Sequence, residues 1–416
     1  MYIKKMYDVI VIGGGAAGMM AAITAAENGA RTALLEKKDR LGRKLALTGK
    51  GRCNVTNNCD INSVLENIPN NARFLYGAVS RFTPQNVMEF FEELGVLLKT
   101  ERGNRVFPVS DKAADIVNAL TGRLDVLGVE IFREDARSLI IEDGCCVGVN
   151  TRGGQFRANS VILATGGASY PKTGSDGFGY RLAEQAGHTI IPPRPSLVPM
   201  TTKETWVSQA AGLTLRNVAI RLMRGEKTIY EDFGELAFTS DGIGGATALS
   251  ASAHIENPAE LENGLISISI DLKPALSEQQ LDARILRDFA ELRGKTFADS
   301  LRKLLPKELC EPFYELSGIP AEKKLGEITK AERRHLIGLL KDLRLNISGF
   351  RPIDEAIVTR GGVKVSEISP KTMESKLCKG LFFAGEIIDV DGYTGGFNLQ
   401  IAFSTGRLAG NSSYFG

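Results

Sequence analysis

Apolar positions follow two different rhythms along the chain. Tyr7 to Ile12 (YDVIVI) is a short β-branched run, the pattern of a strand buried on both faces of a parallel sheet. Ala16 to Asn28 is rich in Ala and Met and predicts a helix, with Gly29 as its stop. Arg31 to Glu36 (RTALLE) predicts the next strand, completing a βαβ unit. Ser160 to Ala164 (SVILA) and Leu381 to Ala384 (LFFA) repeat the buried-strand pattern. They run into Thr165-Gly166-Gly167 and Gly385-Glu386. The chain is therefore expected to return to a single α/β sheet near its C-terminal end.

The rhythm changes after Ile191-Pro192-Pro193-Arg194-Pro195. Val218, Ile220 and Leu222 alternate with polar residues, as do Ile266, Ile268 and Ile270. Period two with polar partners predicts antiparallel strands with one wet face. Ser277 to Gln280 reads as a capping box opening a helix with Leu281, Ile285, Phe289 and Leu292 on its apolar face. Thr329 to Glu332 is a second, ahead of Leu336, Leu339, Leu340 and Leu343. The expected organisation is a doubly wound domain in two parts, 1–194 and 346–416, around an insertion of antiparallel β and helical structure at 195–345. Neither an internal repeat nor a low-complexity segment is visible.

Val9 to Ala26 carries no charge and follows Lys4 and Lys5, so hydropathy alone would suggest a signal peptide or membrane span. Gly13-Gly14-Gly15 inside it fits a strand, tight turn and helix better, and the expectation is a soluble, cytoplasmic protein without a membrane segment. Lys plus Arg number 51 against 49 Asp plus Glu, which argues against a dedicated nucleic-acid binder. Six scattered cysteines without a CxxC pair, and three histidines without ligand spacing, make neither a disulfide scaffold nor a zinc site. Cys145-Cys146 reads as part of a hairpin, and His188 as a helix cap. The 45 glycines stand out, since many are clustered where backbone must turn or approach a ligand.

Gly13-x-Gly15-x-x-Gly18 follows a strand and opens a helix, and Glu36 ends the second strand. Gly13 permits the turn, Gly15 lets a pyrophosphate approach the backbone, and Gly18 lets helix and strand pack closely. The first helical amides, at Ala16 and Ala17, then face the phosphates with the positive end of the helix dipole. Glu36 suits the ribose hydroxyls of FAD or NAD and would repel a 2′-phosphate. A second Gly cluster, Asp389-Val390-Asp391-Gly392-Tyr393-Thr394-Gly395-Gly396-Phe397-Asn398-Leu399-Gln400, precedes what reads as an Ala-rich helix. That helix N-terminus can stabilise negative charge on the N1–C2=O edge of a reduced flavin, which favours FAD.

Leu41 to Asn57 reads LGRKLALTGKGRCNVTN, and Ala164 to Tyr180 reads ATGGASYPKTGSDGFGY. RGGV at 360–363, TMESK at 372–376 and AGEIIDVDGYTGGFNLQ at 384–400 follow in order. With these motifs the whole chain resembles the bacterial BaiN-type (bile-acid-inducible), or aminoacetone oxidase, family of NAD(P)/FAD-dependent oxidoreductases. The resemblance implies a Rossmann-like, GR2-type FAD-binding domain interrupted by a β-barrel-like and helical insertion. It also implies a small-molecule substrate, with NAD(P)H-linked reduction of an activated C=C bond or oxygen-dependent oxidation of an amine such as aminoacetone. NAD(P)H would be a transient reductant, since no second strand–GxGxxG–helix unit is present. Flavoproteins acting on RNA share the nucleotide fold and form a further class, as does a non-catalytic flavin-binding protein. One motif departs from the family pattern FTHxGISGPAxL: Phe238 to Thr247 reads FTSDGIGGAT, altering the His, Ser and Pro positions.

The basic run at 37–52, starting at Lys37 and interleaved with Gly42, Gly49 and Gly51, suits a pyrophosphate, and the resemblance places Arg43 and Lys44 near the cofactor with Gly51-Arg52-Cys53-Asn54 along it. Cys53 reads as a small packing residue against the flavin rather than a redox thiol. The backbone of Ala136 is expected at the adenine edge, and Thr165, Gly166, Gly385, Gly396, Asn398 and Leu399 at further cofactor contacts. Glu386 or Asp391 would accept a ribityl or ribose hydroxyl, the alternative for Asp being helix capping. Tyr170, Tyr393 and Lys50 are the candidate catalytic side chains, with packing as the alternative role for the tyrosines. No metal ligand is expected.

Overall fold

A computed structural model describes residues 6–414 of the chain. It divides into two compact units, the second being Leu197–Arg351. The first opens with β1 (Met6–Ile12), α1 (Ala16–Glu27) and β2 (Thr32–Leu35), close to the expected βαβ unit. β3 (Thr56–Asn57), β4 (Leu98–Glu101) and β5 (Arg105–Pro108) form a small antiparallel sheet in the order β3-β5-β4. Helices α2 (Ile61–Glu66), α3 (Ala72–Arg81), α4 (Pro84–Glu93) and α5 (Ala113–Val126) surround it in sequence. β6 (Glu130–Phe132) then joins β2 in parallel. β7 (Ala136–Glu142), β8 (Cys145–Thr151) and β9 (Gln155–Leu163) follow as antiparallel neighbours. Cys145 and Cys146 open β8 directly after the Asp143-Gly144 turn. β9 lies parallel to β1, pairing Val9 with Ser160 and Ile12 with Leu163. Val9, Ile10 and Val11 are wholly buried, as a strand covered on both faces requires. α6 (Phe178–Gln185) and β10 (Ile190–Ser196) complete this stretch.

The second unit is built on a closed barrel of β11 (Met200–Thr202), β12 (Thr214–Arg224), β13 (Lys227–Phe238), β14 (Gly242–Gly244), β15 (Ile266–Asp271) and β16 (Leu343–Phe350). Closure removes the exposed strand edges that alternating strands would otherwise leave. Val218, Ile220 and Leu222 point inward with Ile266, Ile268 and Ile270, and Arg221 stays outside. The altered FTSDGIGGAT segment supplies the end of β13, all of β14 and the start of α7 (Gly245–Ser252); Asp241 within it pairs with Arg351 at 2.8 Å. After α8 (Ala259–Glu262) come α9 (Glu278–Glu291), α10 (Phe297–Leu304), α11 (Lys307–Ser317) and α12 (Lys330–Lys341). Both expected capping boxes form, at Ser277–Gln280 and Thr329–Glu332. Leu343, assigned from periodicity to the helical face, instead starts β16, because Asp342 ends α12 and the barrel claims the next residues. The unit therefore runs past 345.

The chain returns through β17 (Val358–Val363), paired with β10, and β18 (Leu381–Phe383), which adds to β9 in parallel. It finishes in α13 (Phe397–Ser412), which packs on α1. A Cβ at Gly406 would lie 2.4 Å from the Ala17 carbonyl oxygen, and one at Gly410 2.5 Å from that of Ala21. The two helices thus touch backbone to backbone, and successive contacts advance in the same direction on both. They are parallel, with both N-termini pointing the same way.

Candidate cofactor site

Two helix N-termini organise this site. Gly15 is the N-cap of α1 with no side-chain cap, and no atom outside the local chain lies within 4 Å of where its Cβ would be. Gly18 is the opposite case: a Cβ there would sit 1.8 Å from the Gly13 carbonyl oxygen. Ala16 and Ala17 form the first turn, and their small side chains leave its amides accessible. The Gly14 N–H donates to Glu36 Oε2 and the Lys38 N–H to Oε1, both at 2.8 Å. The carboxylate is thereby fixed at the end of β2, with lone pairs left for sugar hydroxyls.

Gly396 is likewise an N-cap without a side-chain cap, on α13. A Cβ on it would lie 2.4 Å from the Thr56 carbonyl. Asn57 Nδ2 donates to the carbonyls of Gly103 and Gly395, each at 3.0 Å. Asn398 closes the preceding loop, accepting from the Gly392 N–H at 2.9 Å and donating to its carbonyl at 2.6 Å; Leu399 is half-buried beside it. With Gly406 level with Ala17, α13 starts eight residues earlier along the shared direction, or about 12 Å at the usual helical rise. Two uncapped, like-facing amide clusters at that spacing suit a pyrophosphate at one end and the electron-accepting edge of a flavin at the other.

The loops between them carry the remaining expected residues. Lys44 Nζ donates to Ser169 Oγ and Glu386 Oε2, both at 2.7 Å, and Glu386 Oε1 accepts from the Thr359 N–H at 2.8 Å. A Cβ on Gly385 would lie 2.7 Å from that of Ala17, so this loop reaches α1. Lys37 pairs with Asp176 at 2.7 Å and Arg43 with Asp39 at 2.5 Å. Arg52 lies over the Phe107 ring and pairs with Glu101 and, at 2.6 Å, with Asp111. The structure thus supplies protein carboxylates to basic residues read as phosphate counter-charges. Lys50 and Cys53 have φ of 59° and 60°, a strained run that curls 49–54. Gly51 within it has open space on its Cβ side. Asn54 Oδ1 and Thr165 Oγ1 are buried without a hydrogen-bond partner among the described residues. Such atoms require a partner that the chain does not provide, and a bound cofactor fits that need. Thr165 packs against Gly179, and Gly166 against Ser175. Ala136 opens β7, nearly buried. A cavity of about 580 Å³ beside Lys37, Lys38, Arg133 and Asp135 lies next to it in sequence.

Asp391 departs from the expected sugar-binding or capping role. Its wholly buried carboxylate takes Arg360 Nη2 at 2.8 Å and Ser196 Oγ at 2.7 Å, and the α13 cap is Gly396. Asp389, which the sequence places in the second Gly cluster without a role, is buried against Asn70, Asn71 and the Gly361 N–H; burial raises its pKa. Tyr170, at φ 55°, lies 6.0 Å from Lys44 Nζ by ring centroid, and burial raises its phenol pKa. Tyr393 lies in the loop before α13, half-buried, and Lys50 is exposed. His188 closes α6 only through its backbone N–H, given to the Ala183 carbonyl, because its ring turns into the core. Among the described residues no cluster could hold a metal ion, and no helix is long and apolar enough to cross a membrane.

Cys53 is fully buried, which pushes its thiol up to about 12. A thiol-specific reagent at pH 8 is therefore expected to leave Cys53 unmodified in native protein and to label it on unfolding, with peptide mass spectrometry as the readout. Native labelling of Cys53 would contradict its packing role.

A family model described as HI0933-like protein Rossmann domain matches residues 7–412. The chain belongs to the HI0933-like family. It shares that family's FAD-binding Rossmann fold and is an FAD-dependent oxidoreductase. The 3-dehydro-bile acid delta(4,6)-reductase of Clostridium scindens is 34% identical over 413 residues, covering 98% of this chain and 99% of its own. The ribosomal RNA dihydrouridine synthase of Haemophilus influenzae is 32% identical, with 95% and 96% covered. A solved 3-ketosteroid delta1-dehydrogenase from Sterolibacterium denitrificans superposes with a TM-score of 0.51 at 15% identity, covering 98% of this chain and 99% of that one. That last likeness is one of fold. The near balance of charge does not exclude RNA, since a relative of comparable similarity is named for ribosomal RNA.

Proposed function

We propose that this HI0933-like protein is an FAD-dependent reductase of a carbon–carbon double bond conjugated to a carbonyl. One observation carries the reading. Two full-length relatives, at 34% and 32% identity, are named for unlike molecules but for the same kind of reaction. Saturating a Δ4,6 system next to a 3-oxo group and saturating the C5=C6 bond of uracil both add hydrogen across a polarised alkene.

Bound FAD supplies a hydride for the electron-poor carbon of that alkene, with NAD(P)H as the proposed source of electrons. The chain's own groups bind and orient. The α1 amides would hold the pyrophosphate and Glu36 the adenosine ribose, and the Lys44–Glu386 pair would serve the sugar chain. The α13 amides would stabilise negative charge on the reduced ring. The second hydrogen must arrive as a proton, and Tyr170 and Tyr393 offer phenols for it. A tyrosine phenol is protonated at neutral pH and burial raises the Tyr170 pKa further, so it is a donor there rather than a base.

The leading substrate class is a small conjugated enone, as in the reductase relative. Uridine in RNA is the second reading, favoured by the full-length match to the dihydrouridine synthase. Anaerobic mixing with NADH, NADPH or aminoacetone tests the electron source through the flavin band at about 450 nm. Bleaching by a nicotinamide, with recovery on adding an enone or uridine-containing RNA, is the expected result. Bleaching by aminoacetone alone would replace the reductase reading with an amine oxidase.

A further inference from the structure

Three side chains in the first unit form a relay outside the cofactor loops. Ser375 Oγ lies 2.7 Å from His188 Nε2, and His188 Nδ1 lies 3.3 Å from Glu367 Oε2. The order Ser–His–Glu resembles a nucleophilic triad, but the hydrogen bonds give it another meaning. Ser375 Oγ accepts the N–H of Leu377 at 3.0 Å and of Cys378 at 2.8 Å. A hydroxyl has two acceptor positions and one proton. Both acceptor positions are spent on amides, so the proton goes to Nε2. Nε2 is then the bare ring nitrogen and the ring proton sits on Nδ1, which is near Glu367 but makes no well-aligned hydrogen bond among the described residues. Ser375 itself is nearly buried, with no free lone pair for attack.

The relay grips the strand that leads to the cofactor loop. The Ser375 N–H donates to the Leu381 carbonyl at 2.7 Å, and the Phe383 N–H to that of Met373 at 3.0 Å. The His188 ring meets Phe383 edge-on, centroids 4.7 Å apart. Leu381 and Phe383 bound β18, which runs directly into Gly385-Glu386. We infer that His188 and Ser375 are positioning residues for Glu386: the neutral ring locks the 375–380 turn against β18, and protonation of Nε2 unlocks it. An imidazolium would direct a second N–H at an oxygen without a free lone pair. Either the ring or one of the two amides must then let go.

Glu367 is the charged group facing the ring. It is held by the Thr189 N–H at 2.8 Å, and Lys364 acts on it from its own turn. From the Ser375 turn comes the buried Cys378 thiol, neutral because burial raises its pKa, and from β18 the uncharged Phe383. Glu367 favours a charged ring, burial opposes it, and burial prevails, lowering the His188 pKa. A depressed folded pKa means the lock is complete above the ordinary histidine range and is lost as pH falls below it.

Hydrogen exchange of the holoprotein at pH 7.5 and 5.0, corrected for intrinsic chemistry, tests this. Protection of the Leu377 and Cys378 amides should fall at least about tenfold at pH 5.0 while that of β12 and β15 holds. His188→Gln, which keeps a non-titrating acceptor, should remove the pH step, and His188→Phe should lose protection at both pH values. FAD release on acidification should follow the same pattern; this second readout rests on the cofactor reading of Glu386. Unchanged wild-type protection at pH 5.0, or a pH step surviving in His188→Gln, would overturn the lock. An exchange step without faster FAD release would overturn the positioning role. Protein isolated without FAD, and unable to take it up, would instead refute the cofactor reading and leave the exchange result standing.

Discussion

Gly15→Val is expected to leave a folded protein that has lost roughly 100-fold or more in FAD affinity. Gly15 has an ordinary negative φ of −83°, and the space a side chain would enter contains no protein atom. The fold should bear the change at about the cost of a poorer N-cap. That same space lies before the first α1 amides, where a pyrophosphate must approach. Losing two charge-assisted bonds at about 1.5 kcal/mol each gives about 3 kcal/mol, or the 100-fold above. Gly18→Ala is the informative contrast, because its Cβ would fall 1.8 Å from the Gly13 carbonyl oxygen. That variant should fail to fold rather than fold without cofactor. Circular dichroism with FAD titration separates the cases, and a Gly15→Val protein that binds FAD normally would remove α1 from the site.

Asp391→Ala should lower unfolding free energy by about 3–5 kcal/mol, measured by urea at fixed FAD. The Arg360 guanidinium, only 8% exposed, would be left without its carboxylate. Replacing the pair together, Arg360→Met with Asp391→Leu, should be far milder, since two desolvation costs disappear along with their attraction. A small loss in Asp391→Ala would mean that water or another carboxylate reaches Arg360. A double variant as unstable as the single would mean that the pair has bonding roles beyond mutual charge.

The βαβ unit, the returning β18 and the alternating barrel strands were legible because burial on one or both faces imposes a local period. Gly15 and Gly18 were legible as a motif, yet only the structure separates the one with open space from the one pressed on backbone. The helices between 61 and 126 are less legible. The α4 capping box there uses Asn86 in place of the Glu or Gln that marks the usual signature, and α10, in the second unit, is hidden the same way by Asp299. Leu343 continued a helical period across a boundary set by tertiary pairing. Charge partners were the least legible part of the site. Lys37 finds Asp176, Lys44 finds Glu386, and Arg360 finds Asp391, all at separations that local spacing cannot encode. His188 looked like a cap because only its backbone obeys the local rule, while its ring answers to Ser375 and Glu367.

The most direct test of the proposed chemistry is a single anaerobic turnover. Holoprotein reduced in advance is mixed with a 3-oxo-Δ4,6 steroid or with unmodified ribosomal RNA, and the product is analysed by mass spectrometry. The expected result is gain of two hydrogens across the conjugated alkene in one of them, in step with return of the flavin band. Return of the band only with oxygen, with both alkenes intact, would contradict it.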